Sequence, residues 1–289
     1  MTDKTDSFNN KTMKAMLAEE IASVDIGYEV YSTKKINILV VGRSHSGKTT
    51  LIRSLENPMY ASTYTEYART RDPKNHTLVT RYKQTNLYYQ LNMIDTAGLQ
   101  EVAEQKENQR TDEQLLDLAA RCVKQEITTL NIVIFMSEAG KTHTQDIDVF
   151  NSIMEFLGAK FENICMMVLS HCEGFKEDRL AQFVDNIRTH PSSAKAFNYC
   201  KLGVFFHGAI DYDDMSTFED DINFKRLYIR RKMERIAPMR QSLMEIFISR
   251  AGHEVSVDQI QLLVDQANQK LNTDIADALR KTPSRCTIM

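Results

Sequence analysis

The sequence contains no tryptophan, and its 289 residues include only five prolines and ten glycines. So little proline and glycine excludes a collagen-like or low-complexity chain. No charge of one sign dominates either, because 36 basic residues stand against 39 acidic residues and give a net charge of −3. A chain this balanced has no overall attraction to nucleic acid. We therefore expect no nucleic-acid partner, and we look for other partners in local motifs.

Cysteine and long apolar runs are also scarce. The five cysteines are odd in number and no two of them form a CxxC pair, which argues against a disulfide scaffold or a zinc site and favours a reducing compartment. No run approaches the roughly 18 apolar residues of a spanning helix. Residues 1–14 lack the apolar core of a signal peptide. We expect a cytoplasmic protein whose membrane contact would come from a covalent lipid or a surface patch.

Apolar residues make up 42% and charged residues 26% of the chain, as in ordinary globular proteins. Continuous apolar runs of strand length, such as INILVV at Ile36–Val41 and LNIVIFM at Leu130–Met136, alternate with segments of helical spacing. Such runs are typical of strands that are buried on both faces of a parallel sheet. We predict an α/β fold with a mostly parallel central sheet flanked by helices.

The same pattern divides the chain into three segments. Residues 1–35 are predicted to form a partly helical N-terminal extension, and residues 36–220 to form the domain that contains the sheet. Residues 221–289 carry only helical spacing, so we predict a helical C-terminal extension. We expect it to split near Ala251-Gly252, with Ser256 as the N-cap of its last helix.

The segment GRSHSGKT, Gly42 to Thr49, matches the pattern GxxxxGK[ST] without a mismatch. It follows a predicted buried strand and opens a predicted helix, which is the context that a phosphate-binding loop requires. Backbone N–H groups and the positive end of the helix dipole would face phosphate, Lys48 would supply a point charge, and the Thr49 hydroxyl would bind Mg²⁺. The alternative is a plain strand-to-helix turn. The predicted nucleotide-binding residues here are Gly42, Arg43, Ser44, His45, Ser46, Gly47, Lys48, Thr49 and Thr50, with a catalytic role for Lys48.

A second motif, DTAG at Asp95 to Gly98, ends the next apolar strand. The carboxyl end of a strand is where open α/β sheets bind ligands. We predict that Asp95 holds Mg²⁺ and that the backbone N–H of Gly98 approaches the terminal phosphate. The alternative is an Asx turn that ends the strand.

A threonine between these two motifs is expected to complete the magnesium shell. We choose Thr77 as metal ligand and catalytic residue, because it directly precedes the next predicted strand. Thr80 and Thr70 compete with it, and an ordinary strand threonine is the alternative interpretation.

The base is expected at SHCE, Ser170 to Glu173, which ends the apolar run NICMMVL. A carboxylate at Glu173 could accept hydrogen bonds from guanine N1–H and N2–H₂, a donor pair that adenine lacks. His171 could stack on the ring, and the backbone at Gly208 could support the base. Taken alone, each segment could also be a capping loop or a turn. We expect Cys172 to be a buried thiol.

Together these motifs resemble the GTPase-of-immunity-associated-protein (GIMAP) family, to which the avirulence-induced plant proteins belong, among the septin-like and Toc-like GTPases. The resemblance covers about Asn37 to Ala209. GRSHSGKTT and MIDTAGL are similar to the family's phosphate loop and its IDTPGL motif, and Asn131–Phe175 is similar to its hydrophobic box. SHCE is similar to a Thr-His-Cys-Glu variant. His45 stands where glycine is common, and Ala97 replaces the usual proline.

The resemblance implies a P-loop GTPase fold, GTP or GDP as ligand, Mg²⁺ as cofactor, and a homodimer or larger oligomer across the nucleotide face. A basic residue supplied in trans would then assist hydrolysis, and Arg110 and Arg121 are candidates, although each is more often a solvated helix charge. Leu99 occupies the position of the glutamine that orients water in Ras-like GTPases, so we expect weak intrinsic hydrolysis.

The chain ends Cys286-Thr287-Ile288-Met289, a C-a-a-X pattern in which methionine favours farnesylation of Cys286 in a eukaryotic source or in a bacterium that lives in eukaryotic cells. One prenyl chain anchors only marginally, so a second contact is needed. The basic, partly apolar segment Arg226–Arg240 could lie on an anionic membrane, but we favour packing of its apolar residues on the domain.

Three functions fit these observations. The first is a guanine-nucleotide switch that is prenylated and assembles on the cytosolic face of a membrane. The second is a GTP-bound membrane scaffold without hydrolysis, which Leu99 favours. The third is a P-loop ATPase or small-molecule kinase, against which Glu173 argues.

Overall fold

The structure is a computed structural model that describes residues 31–63, 74–96, 128–140, 144–216 and 221–257, together with 13, 15 and 16. The chain forms two compact units, Met1–Thr33 and Lys34–Met289. The second unit contains the central sheet and every predicted nucleotide-binding residue.

The described strands form a six-stranded central sheet and two short two-stranded sheets. The strands are β1 Thr33–Gly42, β2 Ala61–Ser62, β3 Lys74–Tyr82, β4 Leu87–Asp95, β5 Thr129–Leu130, β6 Ile132–Glu138, β7 Cys165–Ser170, β8 Val204–Phe206, β9 Ile210–Asp211 and β10 Val255–Ser256. The central sheet has the order β3-β4-β1-β6-β7-β8. Strands β1, β6, β7 and β8 pair in parallel, whereas β3 and β4 form an antiparallel hairpin.

Helices flank this sheet on both faces. They are α1 Lys48–Glu56, α2 Thr144–Leu157, a 3₁₀ helix Ala159–Ile164, α3 Glu177–Thr189, α4 Ala194–Tyr199, α5 Tyr212–Ser216 and α6 Ile222–Ser249. The predicted α/β fold with a mostly parallel sheet is confirmed.

The alternation of side chains along β6 explains why its first five residues, Ile132 to Met136, are all apolar. Val133 and Phe135 point into one hydrophobic cluster, together with Phe150 of α2. Ile134 points into a second cluster, together with Phe247 of α6. Since successive strand residues face opposite sides of a sheet, a strand covered by helices on both faces has no polar side.

The chain after α6 leads into the short strand β10. The predicted break near Ala251-Gly252 is confirmed, because α6 ends at Ser249 and Gly252 has a φ of +83°. The helix that Ser256 is predicted to cap lies outside the described residues. Ser256 itself lies in β10, which pairs antiparallel with β5. The Nδ2 amide of Asn131 donates hydrogen bonds to the carbonyl oxygens of Arg250 and His253. These contacts between distant segments hold the chain after α6 beside β6, and they have no local sequence signal.

The first half of α6 departs in part from the favoured interpretation. Asp221 caps the helix by accepting from the backbone N–H groups of Asn223 and Phe224. Leu227 and Ile229 of the segment Arg226–Arg240 are exposed rather than packed on the domain, as are Ile222 and Phe224 nearer the cap. Further along the segment, Met233 is partly buried and Ile236 is fully buried, as the favoured interpretation expects. Within the described ranges, no helix is long and apolar enough to cross a bilayer.

Candidate nucleotide site

The predicted phosphate loop connects the end of β1 to the start of α1 and curls around one lysine. The Nζ of Lys48 donates to the carbonyl oxygens of Gly42, at 3.1 Å, and Arg43, at 2.9 Å. Only 6% of Lys48 is exposed, and Ser44 and Ser46 are buried beside it. The loop therefore places a buried cation at the N-terminus of α1, which is the arrangement that binds phosphate.

Two positions in this loop have left-handed backbone. His45 has a φ of +63° and Gly47 a φ of +90°. Left-handed conformation costs a non-glycine residue about 1 kcal/mol or more, which explains why glycine is common at the position of His45. The imidazole of His45 is only partly exposed, and its partial desolvation, together with the nearby charges of Lys48 and Arg43, lowers its pKa.

The glycines of the loop are needed because it packs against the ends of β6 and β7. A Cβ atom at Gly42 would lie 2.5 Å from the carbonyl oxygen of Met136, and one at Gly47 would lie 3.1 Å from the Cβ of Ser170. Ser170 itself is buried, and its hydroxyl donates to the carbonyl oxygen of Ser137. Ser170 is not among the site residues predicted from the sequence. Its position at the head of SHCE was the available signal, since only a small side chain fits against Gly47.

Arg43 ties the loop to α2. Its Nε lies 3.1 Å from Oδ1 of Asp146, and Oδ2 of Asp146 accepts from the Ser137 hydroxyl at 3.4 Å. Asp146 is almost fully buried. The side chain of Arg43 is thus held by α2, so this residue contributes to the phosphate site through its backbone. Asp146 is not among the site residues predicted from the sequence, because it lies in the polar start of a predicted helix without a distinguishing pattern.

Burial lowers the pKa of Lys48 to about 8, and the nearby Asp95 carboxylate opposes this shift. A desolvated ammonium loses hydration that a phosphate can replace. Lys48 is therefore poised to bind anionic phosphate.

The two strongest predicted magnesium ligands are in contact. The Oγ1 of Thr49 donates to Oδ2 of Asp95 at 2.6 Å, and the Thr96 hydroxyl fixes the end of β4 by donating to the carbonyl oxygen of Val40. Two adjacent oxygen ligands suit Mg²⁺, which usually takes one or two protein ligands plus phosphates and water. Among the described residues no cluster of three or more histidine, cysteine or acidic ligands exists. Thr49 and Asp95 fit the ion, which would neutralise phosphate charge there.

Thr77 is not part of this group. Strand β3 begins at Lys74, so the expectation that Thr77 directly precedes the strand is wrong. Its Oγ1 donates to Oδ1 of Asn92 on β4, three residues before Asp95 and thus about 10 Å from it along the strand. The side chain is exposed. The structure does not bring Thr77 to the magnesium ligands, and Thr80 lies further from Asp95 on the same strand. Thr70 lies outside the described residues.

The predicted base-reading residues meet where β7 and β8 end. The backbone N–H of Cys172 donates to the carbonyl oxygen of His207, which holds the two loops together. Within the described residues, Oε2 of Glu173 is buried and accepts no hydrogen bond. A Cβ atom at Gly208 would lie 2.8 Å from the Cβ of Glu173 and 3.0 Å from Oε2. His171 has a φ of +57° and an exposed side chain.

Cys172 is buried, as predicted. Burial raises the pKa of its thiol to about 12, so it is not a nucleophile at neutral pH. His207 is fully buried and burial lowers its pKa to about 3, so its ring is neutral beside the base loop.

The close approach of Gly208 to Glu173 leads to a prediction. Gly208→Ala should weaken GDP binding about tenfold, because the new methyl group displaces the carboxylate that reads the base. Gly174→Ala is the matched control, since nothing lies within 4 Å of a Cβ at Gly174. Calorimetric titration with GDP compares the two variants, and equal affinities would contradict the prediction.

Several predicted functional residues lie outside the described residues. They are Gly98, Leu99, Arg110, Arg121 and Cys286.

Comparison with known proteins gives a family match and several similar solved structures. The model of the AIG1 family matches residues 36–194, whereas the comparison with curated proteins finds no match. Similar solved structures include Toc33 from Arabidopsis thaliana in complex with GDP and Mg²⁺, with 17% identity, a TM-score of 0.41, and coverage of 61% of this chain and 71% of that chain. Another is Aquifex aeolicus Era bound to GDP.AlF4⁻, with 16% identity, a TM-score of 0.43, and coverage of 64% and 56%.

A third is the septin GTPase domain of Chlamydomonas reinhardtii, with 17% identity, a TM-score of 0.37, and coverage of 55% and 62%. These distant likenesses concern the fold alone. The family match spans more than half of the 289 residues and includes the phosphate loop, Asp95 and Glu173, so the sequence-based resemblance is confirmed. The chain is a GTP-binding protein with the P-loop GTPase fold, and it belongs to the AIG1 family.

Proposed function

We propose that this protein is a guanine-nucleotide switch that hydrolyses GTP slowly and is stimulated when two copies pair across the nucleotide face. The observation that carries the proposal is the continuity of the site. Ser170 at the end of β7 lies so close to the phosphate loop that a Cβ atom at Gly47 would be 3.1 Å from the Cβ of Ser170. Three residues later, Glu173 presents a buried, unpartnered oxygen beside Gly208. One strand end thus joins a phosphate cradle to a carboxylate suited to guanine.

The chemistry assigned to the chain's own residues is mainly positioning and charge stabilisation. Lys48 would bind the outer phosphates, and Thr49 and Asp95 would hold Mg²⁺, which when bound neutralises charge on the phosphates. Leu99 cannot orient an attacking water as glutamine does, so slow hydrolysis is expected of a single copy. Arg110 or Arg121 of a second copy would supply the missing positive charge.

The membrane part of the proposal depends on Cys286, which fits a farnesylation pattern. A single prenyl chain binds weakly, and a second contact is available on α6. There, exposed Phe224 and Leu227 lie close in sequence to the exposed cations Arg226 and Arg230. Apolar and basic side chains together suit an anionic cytosolic leaflet. Paired copies would strengthen this attachment through avidity.

One observation favours a second candidate. Leu99 replaces the water-orienting residue, which would also suit a GTP-bound membrane scaffold that does not hydrolyse its nucleotide.

Turnover against protein concentration distinguishes the two functions. We expect phosphate release per molecule from GTP to rise with the concentration of the full chain, because pairing supplies the missing charge. Lys48→Met is the control, since it should not turn over at any concentration. Turnover that stays near zero and flat would reject the switch and support the scaffold.

The membrane step has its own measurement. The chain, treated with a farnesyltransferase, is sedimented with vesicles that contain phosphatidylserine. We expect more binding with a non-hydrolysable GTP analogue than with GDP, and Cys286→Ser should not bind. Equal binding of Cys286→Ser would reject the lipid anchor.

A further inference from the structure

Lys232 of α6 reaches the base-reading carboxylate. Its Nζ lies 3.9 Å from Oε1 of Glu173 and 3.9 Å from Oδ2 of Asp214. The side chains of Lys232 and Glu173 are only 19% and 15% exposed, so solvent screens this pair less than a surface ion pair. Nζ also lies 5.3 Å from the centre of the Tyr228 ring, and the Tyr228 hydroxyl donates to Asp214 at 2.6 Å.

The position of Lys232 is fixed by the packing of the helix. Ile236, Leu243 and Phe247 are fully buried. Lys232 precedes Ile236 by four residues, and the three buried residues follow one another at intervals of seven and four, so all four side chains lie on one face of α6. The guanidinium of Arg240 donates to the carbonyl oxygen of Pro58, a second tie to the domain. The face of α6 that enters the core therefore continues to Glu173.

The distances define what Lys232 can do. At 3.9 Å its ammonium attracts Oε1 but makes no hydrogen bond to it. It therefore leaves the acceptor capacity of Glu173 available to a base. Asp214 balances the charge of Lys232 from the other side, so the ammonium stays in place when Glu173 binds the N–H groups of guanine.

We infer that Lys232 is a positioning residue for guanine recognition, and that α6 is thereby part of the nucleotide site. Its charge holds Oε1 of Glu173 so that the carboxylate presents both oxygens to N1–H and N2–H₂. The inference depends on the proposed role of Glu173 as the guanine reader.

Lys232→Met removes the charge and keeps most of the stem. We expect GDP affinity to fall about tenfold, since a part-buried charge pair is lost. Affinity for inosine diphosphate should fall less, because hypoxanthine lacks the 2-amino group and makes one hydrogen bond fewer to the carboxylate. The ratio of the two affinities should therefore fall. Lys232→Arg should restore most of this ratio, and Arg231→Met, which removes a neighbouring exposed cation, should leave it unchanged.

A double-mutant cycle with Glu173→Ala separates positioning from a general structural role. In the Glu173→Ala background, Lys232→Met should have no further effect on the ratio of GDP to inosine diphosphate affinity. If Glu173→Ala leaves guanine preference intact, the proposed role of Glu173 as the guanine reader fails, and this inference with it. If Glu173→Ala abolishes that preference while Lys232→Met retains the wild-type ratio, the inference alone fails. The inference would also be overturned if Lys232→Met lowered the affinities for GDP and inosine diphosphate equally, and if these losses added to those caused by Glu173→Ala. Partial unfolding lowers both affinities alike and leaves the ratio unchanged.

Discussion

Replacing Lys48 by methionine should weaken GDP and GTP binding by about a thousandfold, which corresponds to about 4 kcal/mol. The ammonium is buried inside the loop and bonded to two carbonyl oxygens. Methionine would leave those carbonyls without a donor and the phosphates without their point charge. Lys35→Met is the control, because Lys35 is an exposed lysine of β1. Fluorescence titration with a labelled GDP measures both variants, and a loss of less than tenfold would contradict the assignment of the phosphate site.

The same lysine predicts a pH dependence. Burial lowers the pKa of Lys48 to about 8, and a phosphate bound beside it would raise that pKa. Below pH 8 the lysine is already charged and affinity is constant. Above pH 8 binding must take up a proton, so affinity falls, by at most about tenfold per pH unit. His45, whose pKa is lowered, does not titrate in this range.

Lys48→Arg provides the comparison between pH 7 and pH 9. Arginine stays charged throughout this range, so the decline attributable to residue 48 should disappear. Any titration of the nucleotide itself is common to both proteins and cancels in their ratio. A ratio that does not change with pH would contradict a depressed Lys48 pKa.

The sequence predicts the phosphate site well because its information is local. Each feature of this site has a sequence signal within a few residues. These features are a glycine where an added Cβ atom would clash with β6, a lysine at the start of a helix, and a strand that is buried on both faces. The Thr77 prediction failed for the opposite reason. The first three residues of β3, Lys74 to His76, are polar, and only their pairing with β4 shows that the strand begins there.

Tertiary contacts between distant segments account for the rest. Strand β10 has only two residues and forms by pairing with β5. It is too short for its sequence periodicity to predict a strand. Lys232 lies in a run of basic residues that resembles a solvated helix face. Nothing in that run distinguishes it from Arg231, which is exposed, whereas Lys232 is turned toward Glu173.

Glu173→Gln should exchange guanine for xanthine specificity. The carboxylate accepts from both N1–H and N2–H₂ of guanine, whereas an amide places an N–H group against one of these donors. We expect GDP affinity to fall about a hundredfold, since a hydrogen bond to a charged group is lost and a donor is left unpaired. Xanthine carries a carbonyl oxygen at position 2, so the same amide should bind xanthosine diphosphate better than the wild-type chain does. Glu177→Gln, an exposed glutamate at the start of α3, is the control.

The direction of the two changes makes this result specific. A variant that only distorts the loop loses affinity for every base, whereas a base-reading residue loses one nucleotide and gains another. Because the phosphate loop is unaltered, inorganic pyrophosphate should bind the variant and the wild type equally. If GDP affinity stays within threefold and xanthosine diphosphate gains nothing, Glu173 does not read the base. The phosphate site built around Lys48 would then serve a nucleotide that is selected elsewhere, and ATP binding by the wild-type chain would identify the ATPase alternative.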